Sequence, residues 1–236
     1  MYYPCDIMAH SRGRKVNFGA GPAVLPETVL HQFGEDLINF EGTGVGIGEL
    51  SHRTETFETG VLEAATESLH SLTGYSRDAW TVLWMTGGGT GQFAAVPLNL
   101  AGGQNGGAAI YLITGVWSEK AAEEAIRILG PLRVLIVDLR EGNTGRSLKC
   151  PIEQVKAVVL DNPSIAYIYY CDNETVDGVE LPDPKYFQDL LSSIVSAPFV
   201  CDSSSNFLSR PLPRASGPTG LIFAGVQKNL GAAGVT

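Results

Sequence analysis

Lys228 lies in the segment Leu221-Ile-Phe-Ala-Gly-Val-Gln-Lys-Asn-Leu-Gly231, after a short apolar run and among small residues. Asp202 closes an earlier apolar run, Pro198-Phe-Val-Cys-Asp-Ser-Ser204. A primary amine can condense with a carbonyl, and a carboxylate can keep a proton on a heteroaromatic nitrogen. An amine and an acid at the ends of two successive strands are the pair that a pyridoxal phosphate enzyme needs, the lysine for the Schiff base and the acid for the pyridine nitrogen. An apolar-flanked lysine taken alone is more often structural, so the companions of Lys228 decide the case.

Thr86-Gly-Gly-Gly-Thr-Gly-Gln92 stands between an apolar run and an amphipathic stretch. Glycines there let backbone N–H groups close on a phosphate, and a following helix N-terminus adds favourable potential. The spacing fits neither the P-loop nor the dinucleotide pattern, so a plain tight turn stays open. Trp117 opens a stretch of helical spacing and reads either as a core aromatic or as a platform for a planar ring. Thr175, in Asn173-Glu-Thr175, follows another apolar run and can hydrogen-bond at a pocket mouth. Arg53, in Ser51-His-Arg53, fits either a fork for a carboxylate or phosphate or a surface ion pair with Glu49 or Glu55. His52 alone says little.

These residues need strand ends to hold them. Apolar runs at Trp80–Met85, Ala108–Ile113, Arg133–Val137, Ile165–Cys171, Pro198–Asp202 and Leu221–Val226 predict strands. Between them, Gly91–Leu100, Ser118–Leu129, Ile152–Leu160 and Pro184–Val195 predict helices, the last opened by the cap Asp183 and the proline at the first helical position. Strands alternating with helices give an α/β fold, a mainly parallel sheet flanked by helices on both faces. Ligands of such sheets gather beyond the strand ends, where Asp202 and Lys228 fall.

Composition narrows the classes. With 236 residues, 44% hydrophobic, 28 glycines and only 17% charged residues, the chain can bury one large core. A net charge of −9 argues against nucleic acid and anionic membranes as partners. Cys5, Cys150, Cys171 and Cys201 are widely spaced, with no metal-ligand pattern, and Cys171 and Cys201 sit in apolar runs as buried free thiols, in keeping with a reducing compartment. No apolar stretch reaches the length of a membrane span, and Met1 to Arg14 lacks a hydrophobic signal core.

From Val16 to Thr236 the chain resembles the phosphoserine aminotransferases, class V members of the fold type I pyridoxal phosphate enzymes. The resemblance rests on Asn17-Phe-Gly-Ala-Gly-Pro-Ala-Val-Leu-Pro26, Glu49-Leu-Ser-His-Arg53, the run from Gly87 to Asn99, Asn173-Glu-Thr-Val-Asp-Gly178, Asp202-Ser-Ser204 with Leu208-Ser-Arg-Pro211, and Ala224-Gly-Val-Gln-Lys-Asn229, in that order. It implies pyridoxal 5'-phosphate as cofactor and Lys228 as the Schiff-base lysine. It further implies Asp202 at the pyridine nitrogen, Trp117 stacked on the ring, Gly89, Thr90 and Gln227 on the phosphate, and Thr175 hydrogen-bonded to the cofactor. His52 and Arg53 would bind the substrate's anionic groups. The implied reaction moves the amino group of L-glutamate to 3-phosphohydroxypyruvate, giving O-phospho-L-serine and 2-oxoglutarate, in a cytoplasmic homodimer that makes serine.

Two departures qualify the resemblance. Thr90 stands where bacterial members often have arginine, and Ala232 replaces a proline after Gly231. The family also continues past the position of Thr236 into a small C-terminal domain. The expected layout is therefore an extension over 1–15 and a cofactor-binding large domain over 16–236, cut before the small domain, with Gly231–Thr236 as the start of another strand. Two alternatives stay open: a class V aminotransferase with another substrate, and a catalytically silent chain that binds partners.

Overall fold

Continuous apolar runs become strands where both faces of a sheet are covered. The computed structural model describes residues 14–102, 106–141, 147–162, 164–181, 184–212 and 219–236. Its strands are β1 (Ala108–Ile113), β2 (Val134–Asp138), β3 (Arg140–Glu141), β4 (Ser147–Leu148), β5 (Ile165–Cys171), β6 (Asn173–Glu174), β7 (Val179–Glu180), β8 (Phe199–Asp202) and β9 (Thr219–Phe223). One five-stranded sheet has the order β2-β1-β5-β8-β9, with every neighbouring pair parallel. β3 with β4, and β6 with β7, form short antiparallel ladders.

The helices are α1 (Glu27–Asp36), α2 (Glu55–Phe57), α3 (Ala64–Thr73), α4 (Gly89–Leu100), α5 (Val116–Leu129), α6 (Ile152–Asp161) and α7 (Pro184–Ser192). A π-helical turn, Glu58–Glu63, joins α2 to α3. Alternation along the strands divides the core into two layers. Ala109, Tyr111 and Ile113 of β1, with Tyr167 and Tyr169 of β5, pack against Phe93 and Val96 of α4 and Ala121, Ala122 and Ala125 of α5. The alanines let α5 lie close to the sheet. Ile110 and Leu112 face the other way, with Ile168 and Tyr170, against Val155 of α6 and Leu191 of α7. Each large apolar side chain so buried stabilises the fold by about 1.5–3 kcal/mol. The parallel sheet covered on both faces that the sequence predicts is therefore what forms.

Tyrosines at the sheet centre keep their hydroxyls paired, as burial requires. Tyr111 and Tyr167 share a 2.7 Å hydrogen bond. Tyr169 donates to Asp202 at 3.2 Å, and Gln188 donates to the Tyr170 hydroxyl at 2.9 Å.

The structure corrects the expected elements in three places. Trp80–Met85 does not form a strand: among the described residues its ladder pairing is confined to the bridge between Thr86 and Val235, flanked by hydrogen bonds between Met85 and Thr236. A strand needs a partner along its length, and among the described residues only Gly234–Thr236 lies opposite. The last strand runs Thr219–Phe223 rather than Leu221–Val226, because pairing with β8 begins at Thr219 and the backbone leaves the sheet at Ala224 to form the turn that carries Lys228. Helices α1 and α3, before Trp80, were not anticipated. The expected cap Asp183 and Met1 to Gly13 lie outside the described residues.

Candidate active site

The C-terminal ends of the parallel strands open onto one cleft of about 750 Å³. Gly88, Gly89 and Thr90 approach it from the start of α4, Trp117 from α5, Cys171, Asn173 and Thr175 from the end of β5 and the turn beyond, and Asp202, Ser204 and Ser205 from the end of β8. Gly225, Gln227 and Lys228 enter from the turn after β9. Seven of the sequence-predicted residues (Gly89, Thr90, Trp117, Thr175, Asp202, Gln227 and Lys228) thus converge, although Gly89 and Lys228 lie 139 positions apart in the sequence. His52 and Arg53 do not line this cleft. Both are exposed just beyond the 3-10 turn Ile47–Glu49. The Arg53 backbone N–H donates to Ser51 Oγ at 3.3 Å, and among the described residues its side chain makes no ion pair with Glu49 or Glu55.

Asp202 is 4% exposed. Its Oδ1 accepts from the Ser204 backbone N–H at 3.0 Å and its Oδ2 from the Tyr169 hydroxyl at 3.2 Å. Burial pushes the carboxyl above the usual carboxylate range; the bonds from Ser204 and Tyr169 pull it back in part, and the Glu174 charge adds to the rise. A buried acid held this way, without a cation bonded to it, is poised to face a protonated nitrogen. Lys228 Nζ donates to the Ala20 carbonyl at 2.5 Å, and among the described residues no carboxylate pairs with it. It is a half-buried amine kept at the cleft by a neutral acceptor.

The glycine-rich loop enters α4 through Gly88, whose φ of 149° is open to glycine and costly for other residues. The first N–H groups of a helix have no partner within it. Beside them stands a polar atom that the sequence did not single out. Ser204 Oγ is buried and, among the described residues, makes no hydrogen bond of good geometry, although it lies near enough to Asp202 to help lower that carboxyl; it is 3.2 Å from where a Cβ on Gly89 would stand. A helix N-terminus and a buried hydroxyl with bonding capacity to spare fit a phosphate group. Trp117 is held through its indole Nε1, which donates to Thr175 Oγ1 at 2.8 Å, while Lys120 Nζ lies 4.9 Å from the ring centroid. Asn173 donates to Ser205 Oγ at 2.8 Å and so ties this turn to the loop after β8. An aromatic plane, an anion cradle, a buried acid and an amine therefore meet in one cleft, and the donor set fits pyridoxal phosphate.

A second hollow lies between Trp80–Met85 and β9, lined mainly by apolar side chains such as Leu69, Leu83 and Leu221. It lacks the convergent polar groups that orient a substrate, which separates it from the strand-end cleft. Among the described residues no cluster of His, Cys, Asp and Glu could hold a metal ion, and no helix is long and apolar enough to cross a membrane.

A parallel sheet with an acid and an amine at its strand ends defines an α/β enzyme scaffold of the fold type I kind. The chain belongs to the aminotransferase class-V family, which matches residues 15–236. It is 42% identical over 222 residues to a Drosophila melanogaster phosphoserine aminotransferase, covering 94% of this chain and 55% of that protein. The phosphoserine aminotransferase of Bacillus circulans subsp. alkalophilus superposes with a TM-score of 0.74 at 31% identity, over 94% of this chain and 56% of that one. The pyridoxal phosphate-bound phosphoserine aminotransferase of Trichomonas vaginalis gives 0.70 at 33% identity, over 94% and 56%. The chain spans a little over half the length of the relatives it matches.

Proposed function

We propose that this chain carries the cofactor-binding large domain of a phosphoserine aminotransferase that uses pyridoxal 5'-phosphate, L-glutamate and 3-phosphohydroxypyruvate. The observation that carries the reading is the convergence of buried Asp202, the amine of Lys228 and the Ser204 hydroxyl at one cleft. When bound, the cofactor supplies an electron sink for a carbanion at the substrate α-carbon. Lys228 Nζ would anchor it and then take and return the proton at that carbon. Asp202 would hold the proton on the pyridine nitrogen. Gly89, Thr90, Gln227 and Ser204 would bind the phosphate, Trp117 would stack on the ring, and Thr175 would hydrogen-bond the cofactor.

The same proposal includes a cytoplasmic homodimer. Free, buried Cys171 and Cys201 support a reducing compartment. Exposed Phe18 and Ile38, at 94% and 79%, support an apolar face that a second copy would cover. Since His52 and Arg53 stand outside the cleft of their own chain, we assign them to the substrate's anionic groups within that dimer.

A second reading, a catalytically silent chain that binds partners, is favoured by one observation, the apolar hollow beside Trp80–Met85. One experiment separates the two. Borohydride reduction of the cofactor-loaded protein followed by peptide mapping should place the label on Lys228, and an assay should detect phosphoserine formed from glutamate and 3-phosphohydroxypyruvate. A label on another lysine would refute the site, whereas a label on Lys228 without product would favour the second reading.

A further inference from the structure

Glu174 is fully buried beside the cleft but does not line it. Its carboxylate is spent on the first turn of α5. Oε2 accepts from the Trp117 backbone N–H at 2.8 Å; Oε1 accepts from the Ser118 N–H at 2.9 Å, from Ser118 Oγ at 2.6 Å and from Thr114 Oγ1 at 3.3 Å. Asp177, from the same hairpin, accepts from the Val116 N–H at 2.8 Å. These are helix N–H groups with no partner inside α5, and the residue ahead of the helix, Gly115, has no side chain to cap them. The closeness is built in: a Cβ on Gly115 would stand 2.3 Å from Asp177 Oδ2 and 2.7 Å from Glu174 Cδ.

The hairpin holds Trp117 twice. Glu174 fixes its backbone, and the adjacent Thr175 fixes its indole nitrogen. Glu174 and Thr175 lie on opposite sides of one short chain segment, one buried in the helix start and the other at the cleft. Backbone and ring are thus tied to the same rigid turn, which β6–β7 pairing and the Gly178-to-Glu174 hydrogen bond close.

We propose that Glu174, supported by Asp177, is a positioning residue that sets the plane of Trp117 at the cleft through the start of α5. A carboxylate is required there because every group facing it donates. In Glu174→Gln, one amide N–H group must point at an N–H of Trp117 or Ser118, which forces a donor against a donor. The helix start must then shift, and the indole with it.

The test reads Trp117 directly. The full chain would be labelled with 5-fluorotryptophan, and the Trp117 signal assigned by Trp117→Phe against those of Trp80 and Trp84. In the cofactor-free protein, Glu174→Gln should shift or broaden the Trp117 fluorine resonance and leave the other two in place. Asp177→Asn, whose amide oxygen can still accept from the Val116 N–H but without the carboxylate charge, should do the same to a smaller extent, and it keeps the test decisive if Glu174→Gln fails to fold. Pyridoxal phosphate affinity of the Gln variant should fall about tenfold, the scale of losing a charge-assisted hydrogen bond. That affinity arm rests on the functional reading above; the fluorine arm does not, so wild-type protein that fails to bind pyridoxal phosphate would refute the reading and leave the positioning role to the resonance. Variants with lower melting temperature but an unmoved Trp117 resonance would overturn the proposal, because a merely structural cap would give that result.

Discussion

The strand-end cleft and the hollow beside Trp80–Met85 are similar in size and opposite in construction. Polar groups in the cleft are aimed by bonds that cross the chain: Tyr169 and Ser204 on Asp202, Ala20 on Lys228, Thr175 on Trp117. The hollow is walled by apolar side chains, and along Trp80–Met85 several stay open to solvent, Leu83 at 69% and Met85 at 44%. The same contrast separates the sheet centre from the region before Trp80, where α1 buries none of its residues. Geometry at the cleft is thus fixed from within this chain by paired backbones and filled layers. Among the described residues, the hollow and α1 are covered on one side and open on the other.

The sharpest way to break this contrast is Lys228→Ala. The side chain borders the cleft and contributes nothing to the packed layers, so the fold should persist while the proposed transamination falls by at least about a thousandfold. Substantial turnover with an unchanged circular dichroism spectrum would show that the cleft is not the reacting centre. Next in size is a pair of truncations. Leu112→Ala, at a fully buried position, should cost about 2–5 kcal/mol in denaturant unfolding. Phe33→Ala, on α1 at 53% exposure, should stay within about 0.5 kcal/mol for the single chain. Equal losses would mean that α1 is as much a part of the core as β1.

Asp202→Asn tests whether the cleft is strained for its function. Asn can keep both existing bonds, its oxygen accepting from Ser204 N–H and its amide donating to the Tyr169 oxygen. It removes a buried charge that the folded state tolerates poorly. Because the folded carboxyl titrates above its unfolded value, stability is undiminished below the ordinary carboxylate range, falls as pH rises from there through the raised value, and stays reduced above it. The cofactor-free variant should therefore melt higher than the parent at neutral pH, by about 2–4 °C per kcal/mol recovered, and equal to it in acid. Its affinity for pyridoxal phosphate should drop about tenfold or more, the measure of a lost charge partner. A variant that melts lower at neutral pH would show that Asp202 is a structural acid.

How much of this was legible in the sequence follows the same division. The strands Ala108–Ile113 and Ile165–Cys171 were readable to the residue, because each is an uninterrupted apolar run that stops at the first polar residue, Thr114 or Asp172. Asp202 was readable for the same reason. Trp80–Met85 has the same composition and failed, since composition reports the wish to be buried and not the presence of a pairing partner. Lys228 falls at the cleft although its strand was misplaced, because its motif did not depend on the strand boundary. Ser204, Tyr169 and Glu174 were missed as site residues: serines, tyrosines and acids carry no signature until the fold shows which lack a partner and which have spent theirs. One signal was available for Glu174. A helix that opens after Gly115 has no cap of its own, and that calls for an acceptor from elsewhere in the chain.

The smallest effect belongs to the sheet's outer edge, where order is electrostatic rather than packed. Arg140 bonds Asp138 at 2.7 Å and Glu119 at 3.0 Å, joining the end of β2 to α5. The hydrogen bond from Arg140 holds the Asp138 carboxyl below its ordinary range, against the opposing pull of partial burial. All three side chains are partly open to water, so screening reduces what the network is worth. Arg140→Ala should cost no more than about 1 kcal/mol at neutral pH and low salt, less as salt is added. For a carboxyl depressed in the folded state, the contribution is complete above the unfolded pKa and disappears as pH falls through the folded one, so parent and variant should converge in acid. Urea unfolding at two salt concentrations and two pH values measures this. A loss of several kcal/mol that salt leaves unchanged would mean that the edge is packed like the centre, and the line drawn here between a self-contained sheet and its looser margins would have to move outward.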